Sequence, residues 1–204
     1  MTARALPRRL AVLNAKGGTG KTTLAVQLTA GLGRRVPCAL GDLDPQGSAS
    51  QWCGAGGTVR VLAAEHAWGD AGGAHLVWDC PPSVEHPAAQ RALQQADAVL
   101  VPVLPSPLDL WASWRLVEAI RAEQQRRPQL RAWLLINQLE PGSALSAAMH
   151  DALREFGLPA LQAVVRRRAI YRTAALQGVS VYDLGPRAAA AVADIEAVIE
   201  EMQT

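Results

Sequence analysis

One run, Leu10-Ala-Val-Leu-Asn-Ala-Lys-Gly-Gly-Thr-Gly-Lys-Thr-Thr23, limits what this chain can become more than any other stretch. Its apolar start, residues 10–13, predicts a buried strand. A glycine-rich turn follows, and then Leu24, Leu28 and Leu32 recur at helical spacing. A strand, a glycine loop and a helix in that order make a phosphate cradle. Glycines let successive backbone N–H groups turn inward on a polyphosphate, and the helix points its positive end at the same charge. Gly17, Gly18, Thr19, Gly20, Lys21, Thr22 and Thr23 are the candidate cradle. Lys21 is placed to reach the β- and γ-phosphates of a nucleotide, and the Thr22 hydroxyl to hold Mg²⁺. A bare glycine run would be read as a flexible turn; the flanking strand and helix argue against that here.

The pattern departs from the ordinary phosphate loop at two places. A glycine is expected five positions before Gly20, where Ala15 stands, and beside it is a second lysine, Lys16. Lys16 and Lys21 are the only lysines in the chain, the other eighteen basic residues being arginine. Lys-Gly-Gly-Thr-Gly-Lys-Thr-Thr resembles the deviant Walker A box of the ParA/MinD family of ATPases. The resemblance implies that Lys16 is the signature lysine, which crosses a dimer interface to the nucleotide of the other subunit.

Three carboxylates join this site. Residues 37–44 predict a second buried strand carrying Asp42 and Asp44 at its end, and ligands in open α/β sheets sit beyond the carboxyl ends of strands. Two such aspartates could also cap the next helix. Asp-Leu-Asp-Pro-Gln-Gly-Ser resembles the switch segment of the same family, which implies that Asp44 orients the attacking water. Residues 75–82 predict a third strand with Asp79 at its exit, the place of a Walker B carboxylate on Mg²⁺. Thr22, Asp42 and Asp79 are thus the candidate metal ligands, and Lys16, Lys21 and Asp44 the candidate catalytic residues.

The remaining stretches are less specific. Residues 53–75 are rich in glycine and alanine, with a short strand expected near 58–62, and Trp52 and Trp68 are expected to pack rather than bind. Residues 98–104 form an apolar strand. Ser106 suits an N-cap, Pro107 the first helical turn, and Asp109 the positive end of that helix. Leu110, Trp114, Val117 and Ile120 then share one helical face. Val-Pro-Val-Leu-Pro-Ser-Pro-Leu-Asp-Leu-Trp resembles small partition ATPases of the ParF type, where this region contributes to the nucleotide sandwich dimer. Residues 130–137 predict a strand ending in Asn137, whose amide can donate to and accept from adenine; asparagine is equally a common strand-ending residue. Helical spacing returns between Ala144 and Phe156. Arg166, Arg167, Arg168 and Arg172 fall in a segment where arginines outnumber acids, and they are read as a DNA-backbone patch. The last helix has Val192, Ile195, Ile199 and Met202 on one face and acidic residues at its end, which disfavours attachment to anionic lipid.

At 204 residues with half of them hydrophobic, the chain is expected to be one domain, residues 1–204. Three cysteines without a Cys-x-x-Cys pair suit a reducing compartment, and four histidines without helical pairing argue against zinc. The expected fold is α/β, a doubly wound, mostly parallel sheet flanked by helices, as in P-loop NTPases. The resemblance implies an ATPase using ATP and Mg²⁺ that forms a homodimer with ATP and binds DNA without sequence preference. It would work with an adaptor protein to position a plasmid, a chromosome region or a protein assembly, in the cytoplasm on the nucleoid and with no membrane partner. A different expectation is a metabolic P-loop enzyme related to dethiobiotin synthetase or to nitrogenase-iron-protein-like reductases.

Overall fold

A computed structural model describes residues 5–54, 57–69, 71–140 and 145–203; the side chains of 107–108 and 145–147 lie outside that description. Its strands are β1 (Arg9–Val12), β2 (Cys38–Asp42), β3 (Val61–Ala63), β4 (His75–Asp79), β5 (Ala98–Val103), β6 (Arg131–Leu139) and β7 (Ala160–Arg166). They form one seven-stranded sheet in the order β3-β2-β4-β1-β5-β6-β7, and every pairing is parallel. The helices are α1 (Lys21–Gly33), α2 (Ser48–Cys53), α3 (Pro87–Gln95), α4 (Pro107–Arg126), α5 (Leu145–Arg154), α6 (Ala169–Leu176) and α7 (Ala189–Glu201).

Alternation along the strands decides which helices cover which face. Leu10 and Val12 enter a core shared with α1, α2, α6 and α7. Ala11 and Leu13 enter the opposite core, under α3, α4 and α5. With both faces covered, the central strands have no polar side, which is why they read as unbroken apolar runs. Leu24, Leu28 and Leu32 are all buried, as their spacing predicts. From β1 the chain runs through α1 to β2 on one side, while β5 leads to β6 on the other. Connections that diverge in this way open a crevice at the carboxyl ends of the central strands.

Several boundaries differ from the sequence expectations. β2 ends at Asp42, so Asp44 stands in the following loop. The short edge strand is Val61–Ala63, slightly later than expected. β6 continues two residues past Asn137, to Leu139. The expected arginine patch is divided between elements: Arg166 ends β7, and Arg172 lies in α6. Ser106 occupies the N-cap of α4 without a side-chain capping bond. On α4 the buried face includes Leu110, Val117 and Ile120, but Trp114 stays 42% exposed, with its ring edge-on to Phe156. Ala144 lies outside the described residues. Trp52 and Trp68 do pack: Trp52 donates to the Val179 carbonyl, and Trp68 lies on Trp78.

α7 closes the molecule. Ile195, Val198, Ile199 and Met202 are fully buried, so its apolar face is spent on the core. Glu201 accepts from the Gln162 and Ala163 N–H groups at 2.7 and 2.8 Å, covering part of the free edge of β7. No described helix is long and apolar enough to cross a membrane.

Candidate functional site

The loop leaving β1 turns at Gly18 (φ 78°) and Gly20 (φ 86°), in the left-handed region that favours glycine. Gly20 is the N-cap of α1 and supplies no side-chain acceptor, so the first-turn N–H groups remain available to an anion. Asn14, buried at the loop's start, holds it to the neighbouring elements. Its amide donates to the Pro102 carbonyl at 2.7 Å and the Ser113 hydroxyl at 3.1 Å, and its oxygen accepts the Lys16 N–H at 3.0 Å. Lys21 is 7% exposed, and its ammonium donates to the Lys16 carbonyl at 3.3 Å. Burial lowers its pKa, while Asp79, Asp44 and Cys80 nearby act in the opposite direction. It is thus the cation that acts on both Asp79 and Asp44.

Asp79 is fully buried; its oxygens make no well-formed hydrogen bond, and the Thr22 hydroxyl lies near enough to lower its proton affinity. Burial raises its pKa to about 7; the Thr22 hydroxyl and Lys21 offset part of that rise, and Asp42 and Asp44 add to it. Asp42 is divided between two tasks. Its Oδ2 accepts the Ser50 N–H at 2.8 Å and the Ser50 hydroxyl at 2.7 Å, capping α2 from outside the helix. Its Oδ1 is buried and unpartnered. Asp44 accepts the Gln46 N–H at 3.0 Å and is close enough to act on both Lys21 and Asp79. The two Asp79 oxygens, near the Thr22 hydroxyl, and Asp42 Oδ1 are therefore buried without a well-formed hydrogen bond. This hard-oxygen set fits Mg²⁺, which keeps several waters and takes only one or two carboxylates together with phosphate. No group of three or more His, Cys, Asp or Glu side chains forms a closed metal cage among the described residues.

Lys16 turns away from this cluster and pairs with Asp109 in the first turn of α4. Asn137 is buried, and its amide donates to the Thr19 carbonyl at 2.7 Å, so that donor is committed to the loop. Its neighbour Gln138 donates to the Gly18 carbonyl at 2.8 Å. A cavity of about 230 Å³ opens beside this contact, lined in part by Gly20, Thr23, Asn137, Gln138 and Tyr171. Its far wall carries all four arginines of the expected DNA patch. Two of them are not free charges. Arg166 and Arg168 both bind the buried Asp194 of α7, at 2.6 and 3.0 Å. Arg167 makes an exposed pair with Glu140 at 3.1 Å, and Arg172 is exposed.

Asn14, Asp109 as the partner of Lys16, Gln138 and Asp194 went unassigned in the sequence. Only Gln138 left a usable signal, a second amide directly after Asn137. The others depend on contacts between residues 26 to 99 positions apart.

A parallel sheet with a lysine-bearing glycine loop at its central strand, and unpaired carboxylates on the next strands, defines a P-loop nucleotide-binding fold. The chain belongs to the CobQ/CobB/MinD/ParA nucleotide binding domain family, whose sequence model matches residues 10–181. It is 40% identical over 205 residues to the maintenance of carboxysome distribution protein A of Halothiobacillus neapolitanus, covering 95% of each chain. Its fold is similar to that of an ATP complex of McdA from Cyanothece, with a TM-score of 0.75 at 16% identity over 95% of each chain. It is also similar to cobyrinic acid a,c-diamide synthase from Mycobacterium smegmatis with bound ADP and magnesium. There the TM-score is 0.67 at 22% identity, over 85% of this chain and 91% of that one.

Proposed function

We propose that this chain is a Mg²⁺-dependent ATPase of the ParA kind that positions carboxysomes on nucleoid DNA, acting as a single domain that pairs when ATP binds. The observation that carries the ATPase reading is the set of buried oxygens without well-formed hydrogen bonds on Asp42 and on Asp79, the latter beside Lys21. Burying unpaired carboxylates is costly, and a metal ion held against phosphate would relieve that cost. Mg²⁺ held there would supply positive charge against the charge that develops on the phosphates. Lys21 and the loop amides would hold the phosphates, with Thr22 and Asp79 holding the metal. Asp44, free of the strand, would orient the attacking water rather than take its proton outright. Lys16 would leave Asp109 and reach the nucleotide of the second subunit.

The carboxysome as cargo rests on the relative from Halothiobacillus neapolitanus, which matches across nearly the whole of both chains. An adaptor protein on the cargo would stimulate hydrolysis and release. A reductase resembling the nitrogenase iron protein is disfavoured, because Cys80, beside Asp79, is fully buried and cannot share a cluster across an interface. Phosphate release with ATP and Mg²⁺ tests the reading. The parent should turn over slowly, Lys21→Ala should be inactive, and Asp44→Ala should bind ATP while losing about 10²-fold or more in rate. Parent-like turnover by Asp44→Ala would remove it from the mechanism.

A further inference from the structure

Gln138 is the one non-glycine residue with positive φ among the described residues, at 57°. An L residue adopts that conformation only where its surroundings hold it there. The site is a break in the sheet, since the register between β6 and β7 slips between Asn137 and Leu139. In a regular strand the side chains of 137 and 138 would point to opposite faces. The left-handed residue breaks that alternation, and both amides reach the glycine loop. They donate to successive carbonyls, Gln138 to Gly18 at 2.8 Å and Asn137 to Thr19 at 2.7 Å. The fit is close: a Cβ on Gly20 would lie 2.5 Å from the Asn137 amide nitrogen and 3.4 Å from that of Gln138.

The C=O and N–H of a trans peptide point in opposite directions. A donor on the Gly18 carbonyl therefore sets the direction of the Thr19 N–H, and a donor on the Thr19 carbonyl sets that of the Gly20 N–H. We propose that Gln138 is a positioning residue for the nucleotide: with Asn137 it grips the outer side of the glycine loop and holds its amides ready for phosphate. Gln138 also lines the 230 Å³ cavity beside the loop, so whatever fills that cavity meets the same side chain that orders the loop. The inference rests on the nucleotide-site reading above and adds to it a residue outside the Walker motifs.

Two variants separate the amide from the backbone. Gln138→Gly removes the side chain and relieves the left-handed strain, whereas Gln138→Glu keeps size and shape but replaces the donor with an acceptor. ATP affinity is measured by calorimetry with Mg²⁺, and loop order by amide hydrogen exchange of residues 17–21 in the nucleotide-free protein. Gln138→Gly should bind ATP about tenfold more weakly, the scale of one lost hydrogen bond, and Gln138→Glu at least as weakly. Loop exchange should quicken in both, while the thermal midpoint of Gln138→Gly holds or rises. Parent-like ATP affinity in both variants overturns the proposal. So does weaker ATP binding with unchanged loop exchange, which would make Gln138 a direct nucleotide contact. A parent that binds no ATP would instead defeat the nucleotide-site reading itself.

Discussion

Lys16 and Asp79 show what single residues contribute and how much of each the sequence disclosed. Lys16 was conspicuous as one of two lysines, but its partner was not, because Asp109 lies 93 positions away and suits a helix start without it. The lysine side chain of that pair is 42% exposed. Asp109 in the same pair is only 10% exposed, so releasing Lys16 leaves a largely buried carboxylate unpaired, a cost that the phosphates of a second subunit would have to offset. Asp79 could be placed at a strand end from sequence, but its lack of a well-formed hydrogen bond could not. Its folded pKa of about 7 lies above the ordinary carboxylate value of 3.8. The native state therefore holds an extra proton between those two pH values, and stability from this group falls as pH rises across that window. In metal-free protein Asp79→Asn should flatten this loss and raise the thermal midpoint at pH 8, by on the order of 5 °C. Thermal scans from pH 5 to 8 check it; a parallel shift at every pH would contradict the raised pKa.

At the scale of elements, the β7–α6 segment is where sequence and structure part most. The arginine excess was visible, but its division was not, since nothing near the segment in sequence announces Asp194 of α7. That carboxylate is 5% exposed and accepts the Arg166 N–H as well as both guanidinium groups. Arg166 and Arg168 thus fasten β7 and the start of α6 to the last helix, which leaves Arg167 and Arg172 as the members of the proposed DNA patch not held by Asp194. Arg167→Ala with Arg172→Ala should weaken binding to any duplex and reduce its salt slope by about one per lost contact, leaving the thermal midpoint in place. Arg166→Ala with Arg168→Ala should instead destabilise by about 2 kcal/mol, because buried Asp194 loses both guanidinium partners and keeps only the N–H of residue 166. Fluorescence anisotropy over a salt series, paired with thermal unfolding, distinguishes the two pairs. Equal effects of both pairs on DNA binding with no change in stability would restore the patch of four.

For the whole molecule, the fold was legible because the central strands are mostly apolar runs and the exits of β1, β2 and β4 carry glycine or aspartate. The strand ends were less so. Asp44 and Gln138 fall beyond points where apolar patterning stops being informative, and their placement depends on backbone turns that leave little trace in composition. The proposed paired state is likewise a property of two chains, and in the sequence only Lys16 and the segment after β5 hinted at it. One patch made of Arg167 and Arg172 would hold DNA with a dissociation constant of about 10⁻⁴ M, at the weak end of the non-specific range. Two patches in one dimer make the second contact intramolecular, and affinity rises by about 10² or more. ATP would then control DNA binding by controlling pairing. The most direct measurement is sedimentation velocity of the parent and Lys16→Ala on a short duplex, with Mg²⁺ and either ATP or ADP. The parent with ATP should run as a dimer on DNA, and with ADP as a free monomer. Lys16→Ala should stay monomeric and unbound with either nucleotide. A Lys16→Ala dimer on DNA, or parent binding indifferent to ATP, would contradict the account.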